Sequence, residues 1–496
     1  MLLSSYCSEV ASSIVCPSFI FSRPQEGRES RLRYVSTRGT APILKFEDVV
    51  LTGLALDGGL YVPEVWPRFS AEQLRAMQGL SYSQIAFQIM KPFVDGAIDD
   101  VALQSIIDHA YEGFSHPEVA PLRQLEKNLF LLELFHGPTL AFKDFALQVL
   151  GRIFDHILAR RGERVTIVGA TSGDTGSAAI EACRGRDALE IFILHPKGRV
   201  SDIQRRQMTT VAESNVHNLA VEGTFDDCQG LVKDMFNDLE FRAEQNLSAV
   251  NSINWARIMA QIVYYVSSAL RLGAPDQSIA YAVPTGNFGD IFAGYVASKI
   301  GLPIERLIIG TNTNDILTRF LETGEMETSN VIPTISPAMD IQVSSNFERL
   351  LFDIHGGDGH AVSEAMSVFR ENGKMIVAPE ILKAIHKLFY AARLKDEGTR
   401  RQIKATYEAS GVIVDPHTAV GLHAAMMCTE DLSVPVVALS TAHPAKFPVP
   451  VEEAIGVYPK LPPGLKDLLD RSESFDTLPN NLGVIQSFIR ERTSNL

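Results

Sequence analysis

From about residue 110 onward the chain repeats one pattern: a short run of β-branched and aliphatic residues, a turn rich in Gly, Ser, Thr and Asn, then an Ala-rich stretch with helical spacing. Such alternation predicts parallel βαβ units, and the fold class it implies is α/β with doubly wound parallel sheets. Strands are predicted at RVTIV (164–168) and EIFIL (190–194), with the turn GATSGDTG and a helix over SAAIEACRG between them. A second unit runs from IAYAV (279–283) through PTGNFGD into helical IFAGYVASKIG and on to RLIIG (306–310). A third is predicted from a strand at 412–414 through DPHTA into helical GLHAAMM, after which VVAL (436–439) enters STAHPAKF. No segment repeats at a fixed period, which argues against a solenoid.

At 496 residues the chain is too long for one hydrophobic core. The expected division is an N-terminal region at 33–105, a large α/β domain from 106–164 and 270–490, and a smaller α/β domain at 165–269 between its halves. Residues 1–32 do not belong with the rest: 1–31 hold eight serines and an apolar patch broken by Pro17. They read as a disordered extension or as a start placed ahead of one near Leu32. Arg23, Arg28 and Arg31 leave a transit segment open, against Glu9, Glu26 and Glu29.

Charge and cysteine content narrow the function. A net charge of −14 with no basic patch argues against a nucleic-acid partner, and no apolar run is long enough to span a bilayer. Five cysteines without a CxxC pair suit a reducing cytoplasm. There is no HExxH, and His355, Asp358 and His360 in their Gly-rich stretch read as a surface turn, so no metal is expected. Any small anion must then be held by a few specific groups.

Three Gly/Ser/Thr/Asn turns follow predicted parallel strands, the place where open α/β sheets bind ligands. PTGNFGD is the best phosphate cradle: glycines allow close approach of the backbone, and the next helix supplies unpaired N–H groups. Asp290 is expected to cap that helix with its carboxylate. A tight connection without a ligand is as good a reading of this loop alone. The spacing matches neither GxGxxG nor GxxxxGK[ST]. The other unusual segment is LELFHGPTLAFKDF, in which Lys143 follows a Gly-Pro turn and lies between Phe142 and Phe145, expected to pack around it and keep it dry. An amine in apolar surroundings loses proton affinity, as a lysine that condenses with a carbonyl must.

Taken together, these residues resemble the threonine synthases, enzymes of the tryptophan-synthase β-like group (fold type II) that use pyridoxal 5′-phosphate (PLP). The matching segments are RYVSTRG, DGGLYVP, FHGPTLAFKDF, TSGDTG, SINWARI, PTGNFGD and STAHPAKF, in the family's order from residue 33 onward. DGGLYVP is similar to the longer, bacterial and fungal branch. The resemblance implies that Lys143 carries PLP and shuttles protons, and that Gly286, Asn287, Phe288, Gly289 and Asp290 hold the cofactor phosphate. Thr441 or its neighbour Ser440 would face the pyridine nitrogen. Ser172, Gly173, Asp174 and Thr175 would lie near the substrate α-carboxylate and the cofactor's 3′-oxygen, with Asp174 standing where relatives in the wider fold carry asparagine.

The implied reaction takes O-phospho-L-homoserine and water to L-threonine and phosphate. Guanidinium and hydroxyl groups are proposed for the substrate's phosphate: Ser36, Thr37 and Arg38, Asn254 and Arg257, and Ser344, Ser345, Asn346 and Arg349. Structural salt bridges compete for Arg257 and Arg349; if both bind substrate, changing either to Met should raise KM. His443 is expected to fix its own loop, and Asp57, Gly58 and Gly59 read as a tight turn. A serine or threonine dehydratase is the nearest alternative, although FKDF differs from the SxKxR expected there. A family member acting on other phosphorylated hydroxy-amino compounds and a non-catalytic PLP-binding or anion-binding protein also stay open. A monomer is the expectation for the long branch, with closure of the smaller domain over substrate.

Overall fold

The computed structural model describes residues 32–171, 173–250, 252–429, 431 and 433–493. The N-terminal extension and Ser172 lie outside the described residues. Along the chain, β1 (Tyr34–Ser36) and β2 (Tyr61–Pro63) form an antiparallel pair. The turn between them is built on Asp57, whose carboxylate accepts hydrogen bonds from the N–H groups of Gly59, Thr40 and Ala41 and from Ser36 Oγ. Two helices, Tyr82–Val94 and Asp100–Tyr111, then precede β3 (Leu122–Gln124) and β4 (Leu129–Glu133). The first of them is started by Ser81 and Gln84, each side chain bonding the other's backbone N–H.

Next come β5 (Val165–Ala170), β6 (Leu189–Pro196), β7 (Val216–Glu222) and β8 (Leu247–Ser248). The second half of the chain supplies β9 (Ile279–Pro284), β10 (Ile304–Thr311), the short antiparallel pair β11 (Glu325–Glu327) and β12 (Lys374–Ile376), β13 (Phe389–Arg393), β14 (Val436–Ser440) and β15 (Asp476–Pro479). These strands make two main sheets. One runs β13-β10-β9-β14-β4-β3, parallel except for β3 at its edge, and the other runs β15-β7-β6-β5-β8, parallel throughout.

Both faces of a parallel sheet must be covered, and the strands read accordingly as continuous apolar runs. The helix Lys143–Arg161 is buried along most of its length. It packs on the helix Asp174–Cys183, where Gly151 is required because a Cβ there would run into the Ala182 carbonyl. The helix Trp255–Arg271 packs against it and against Tyr82–Val94 and Gly289–Lys299, with Trp255 at its start buried among the rings of Tyr34, Trp66 and Phe93.

Two expectations from the sequence are corrected. Residues 412–414 are not a strand: they link the helix Asp396–Ser410 to the helix Pro416–Cys428, and the strand of that unit is β13. Val412 and Val414 are apolar because this link is buried, and so short an apolar run carries no periodicity to tell strand from link. The C-terminal segment does not stay with 270–490. β15 pairs with β7, and Ile485 and Ile489 of the helix Leu482–Thr493 pack with Val168, Phe192 and Leu219 of the five-stranded sheet. Conversely Trp255–Arg271, expected within 165–269, packs on helices outside that range.

Candidate active site

Lys143 is the first residue of its helix, and the turn before it is locked from within. Asp144 accepts hydrogen bonds from Thr139 N–H (2.8 Å) and Oγ1 (2.6 Å), and Gly137 lies so close to the Asp144 side chain that no Cβ fits. This turn is fastened to the end of β14: Phe142 N–H donates to the Thr441 carbonyl, His443 N–H to the Leu140 carbonyl, and Leu134 N–H to the Ser440 carbonyl. Lys143 is only 9% exposed, with Nζ 4.8 Å from the centre of the Phe142 ring. Phe145 does not flank it. Two positions on along the helix it points away, into the rings of Tyr82, Tyr111, Phe114 and Tyr264.

Lys143 Nζ is 3.6 Å from Asp174 Oδ2. Asp174 Oδ1 in turn lies 3.1 Å from Lys446 Nζ and accepts from Gln204 Nε2 at 2.8 Å. Burial lowers the proton affinity of Lys143; Asp174 opposes this, while Lys446 and Arg257 add to it. Burial would raise the Asp174 carboxyl, but Lys446 and Lys143 together hold it well below the usual carboxylate range. Gly173, at φ 141°, lies against the Gln204 side chain where a Cβ has no room. Its N–H and that of Gly176 donate to Thr171 Oγ1, and Thr175 is half-buried.

The 286–290 loop joins β9 to the helix Gly289–Lys299. Phe288 takes the left-handed conformation (φ 64°), and a Cβ on Gly286 would meet the Ala338 carbonyl. Among the described residues the N–H groups of Gly286, Asn287, Phe288 and Gly289 have no protein acceptor, which makes a ready cradle for an anion. The loop is held from behind: Ser344 Oγ donates to the Gly286 carbonyl, and Asn346 N–H and Nδ2 both donate to the Asn287 carbonyl. Ser345, next to them, is half-buried.

Asp290 is not the helix cap expected from its position. Its carboxylate accepts hydrogen bonds from the hydroxyls of Tyr264 and Tyr265, and burial pushes its pKa up to about 6. The folded chain therefore binds this proton more tightly than the unfolded one, so stability falls as pH rises from about 4 to about 6 and stays reduced above. Asp290→Asn should remove that slope and raise stability at pH 7 by about 2 kcal/mol. Thermal unfolding of both proteins at pH 4.5 and 7.5 checks this (about one unit outside the window on the basic side); parallel pH trends would rule it out.

The residues expected to grip the substrate's phosphate are not all free to do so. Arg38 pairs with both oxygens of Glu348, Thr37 Oγ1 donates to Glu348 and accepts from Leu60 N–H, and Ser36 donates to Asp57. Asn254 caps Trp255–Arg271 and donates to the Val50 carbonyl. Arg349 is fully buried, its guanidinium spent on the carbonyls of Tyr61 and Ile253 and on Asn346 Oδ1. Arg257 differs. It is 3% exposed, donates through Nη1 to the Val250 carbonyl at 3.3 Å, and among the described residues its Nε has no partner. Burial lowers its pKa to about 10.

At the end of β14, Ser440 Oγ lies 3.1 Å from Thr418 Oγ1, which bonds Asp415, and Thr441 is buried beside the lysine turn. His443 accepts from Ala445 N–H through Nδ1 and is pushed down to about 4 by burial, so it acts on its own loop. Asp358 caps the helix Gly359–Asn372. No signal in the sequence singles out Lys446, Gln204, Gln207 or Glu348: Asp174 for Gln204, Thr139 for Lys446 and Gln207, and Arg38 for Glu348 are remote along the chain, and only the assembled fold brings them together.

β9, β14 and β4 are neighbours, so the cradle, the Ser440–Thr441 hydroxyls and the lysine turn meet at the carboxyl end of one parallel sheet. A buried amine, unpaired N–H groups for a phosphate and hydroxyls for a ring nitrogen suit pyridoxal phosphate. Residues 116–371 match the family of pyridoxal-phosphate-dependent enzymes, which sets the class of this protein. Residues 33–111 match the threonine synthase N-terminus and 418–489 the threonine synthase C-terminal family. A Pseudomonas aeruginosa threonine synthase is 57% identical, covering 93% of this chain and 98% of its own. A PLP-bound threonine synthase from Brucella melitensis superposes with a TM-score of 0.92 at 54% identity, covering 93% of this chain and 99% of that one. Yeast threonine synthase gives 0.89 at 41% identity, over 95% and 100%. The chain belongs to the threonine synthase family, and its cofactor is pyridoxal 5′-phosphate.

Proposed function

We propose that this chain converts O-phospho-L-homoserine and water into L-threonine and phosphate, with Lys143 as the cofactor-bearing and proton-carrying residue. The observation that supports this most is the placement of a dry lysine amine beside an unpaired N–H cradle at adjacent strand ends. PLP supplies an electron sink conjugated to the substrate's Cα. Gly286, Asn287, Phe288 and Gly289 hold its phosphate, and Ser440 and Thr441 face its ring nitrogen. A hydroxyl there does not compel protonation of that nitrogen, as a carboxylate would.

Lys143 Nζ removes protons at Cα and Cβ, phosphate leaves Cγ with the electrons of its C–O bond, and Lys143 returns one proton at Cγ; the hydroxyl of water then adds at Cβ, and the last proton is returned at Cα. The 173–175 segment faces the substrate's α-carboxylate, and Arg257 offers its free guanidinium edge to the substrate's phosphate. Closure of the five-stranded sheet's half over this site would keep water out until the right step.

The direct test is release of phosphate and threonine from O-phospho-L-homoserine by the PLP-loaded chain, beside 2-oxo acid formation from L-serine and L-threonine. Equal amounts of phosphate and threonine are expected. Deamination without phosphate release would replace this reading with a dehydratase. The enzyme is further proposed to work in the cytoplasm as a monomer. Cys183, Cys228 and Cys428 are free, and no helix among the described residues is long and apolar enough to cross a membrane.

A further inference from the structure

Asp174 is shared between two lysines, and the sharing is unequal. Its Oδ1 lies 3.1 Å from Lys446 Nζ, whereas Oδ2 stands 3.6 Å from Lys143 Nζ. Lys446 is fully buried, and its ammonium has three acceptors for three protons: Asp174 Oδ1, the Thr139 carbonyl at 2.7 Å and Gln207 Oε1 at 2.7 Å. Those acceptors come from three places: the helix Asp174–Cys183, the turn before Lys143, and the helix Asp202–Thr209. An ammonium so completely bonded is a fixed point charge.

We propose that Lys446 is a positioning residue for the reaction: by drawing the Asp174 carboxylate towards itself, it leaves the Lys143 amine free to accept substrate protons. The proposal rests on Lys143 being the cofactor-bearing residue. Without Lys446, Asp174 would have Lys143 as its one ammonium partner, and a buried ion pair of that kind would lock Lys143 in its protonated form. Among the described residues, the charged groups facing Lys143 are Asp174 and Lys446, Arg257 from the helix Trp255–Arg271, and Asp290 from the helix Gly289–Lys299. Lys446 itself faces Asp174, Asp144 and His443. Burial already lowers the proton affinity of Lys143, and Lys446 adds to that by repulsion.

Two variants test this in the full chain. Lys446→Met removes the charge while keeping most of the length of the side chain. Gln207→Glu keeps Lys446 but gives it a second carboxylate, which weakens its hold on Asp174 and decides the matter if Lys446→Met does not fold. The first readout is the pH dependence of Lys143 acetylation by acetic anhydride in the chain freed of cofactor, followed by mass spectrometry. The second is the acid limb of kcat in the loaded enzyme.

Both midpoints should move to higher pH, further in Lys446→Met than in Gln207→Glu. kcat at neutral pH should fall about ten-fold in Lys446→Met and recover as pH rises, with KM within about two-fold. Unshifted or lowered midpoints in a folded variant would overturn the proposal. Borohydride reduction of the loaded parent and peptide mapping keep the underlying reading separate. Label on a residue other than Lys143 removes that reading, while label on Lys143 with unmoved midpoints removes only the part given to Lys446.

Discussion

Lys143→Ala is expected to lower kcat for phosphate release by about 10³-fold or more and to abolish borohydride-stable attachment of the cofactor. The loss should be chemical rather than structural. Asp174 keeps Lys446 at 3.1 Å and Gln204 at 2.8 Å, so removing Lys143 leaves no buried carboxylate without a partner. The helix start is fixed by Thr139 and Asp144, not by the lysine side chain. Thermal unfolding of the variant should therefore stay cooperative and close to that of the parent. Phosphate and threonine assays beside a melting curve check both halves, and turnover within ten-fold of the parent would remove Lys143 from the centre of the reaction.

Arg257→Met carries the second large effect, and it has two signs. A guanidinium 3% exposed, with Nε unpartnered among the described residues, costs stability in the empty site and gains its anion only when substrate arrives. Replacing it with a shorter, apolar side chain should raise KM for O-phospho-L-homoserine by about 10- to 100-fold while raising stability by about 1–2 kcal/mol. Arg349→Met should act mainly on stability, and with the opposite sign. It strips donors from the Tyr61 and Ile253 carbonyls and from Asn346, so stability should fall by about 3 kcal/mol, with KM changed less. Steady-state kinetics paired with denaturant titration separates the two, and an unchanged KM in Arg257→Met would return that arginine to a purely structural part.

The contrast between these arginines shows where the sequence stops being legible. β5, β6, β9, β10 and β14 could be placed from their apolar runs, and the Gly-rich loops after them from composition, because those signals are local. Arg257 and Arg349 look alike in sequence. What separates them is whether backbone carbonyls happen to surround the guanidinium, a property of segments far apart along the chain. Asp290 shows the same limit: its place beside Gly289 suggests a cap, but the tyrosines that claim its carboxylate lie on another helix. Lys446 stood in plain view within STAHPAKF, yet nothing near it announces Asp174 or Gln207 as its partners. Ser36, Thr37 and Arg38 carry the groups that bind anions, but the carboxylates of Asp57 and Glu348 reach those groups within the chain itself.

The late arrival of β15 has a bearing on how the polypeptide leaves the ribosome. Four strands of the five-stranded sheet are made by residue 248, but the strand that closes the β7 edge is not made until residues 476–479, and the helix that covers Val168, Phe192 and Leu219 comes later still. Throughout synthesis of the intervening chain, a growing protein carries an open strand edge and an uncovered apolar face, the combination that invites pairing with other nascent chains. Clones ending short of that final helix would leave the same surface exposed for good, even with every residue of the lysine turn and the phosphate cradle intact.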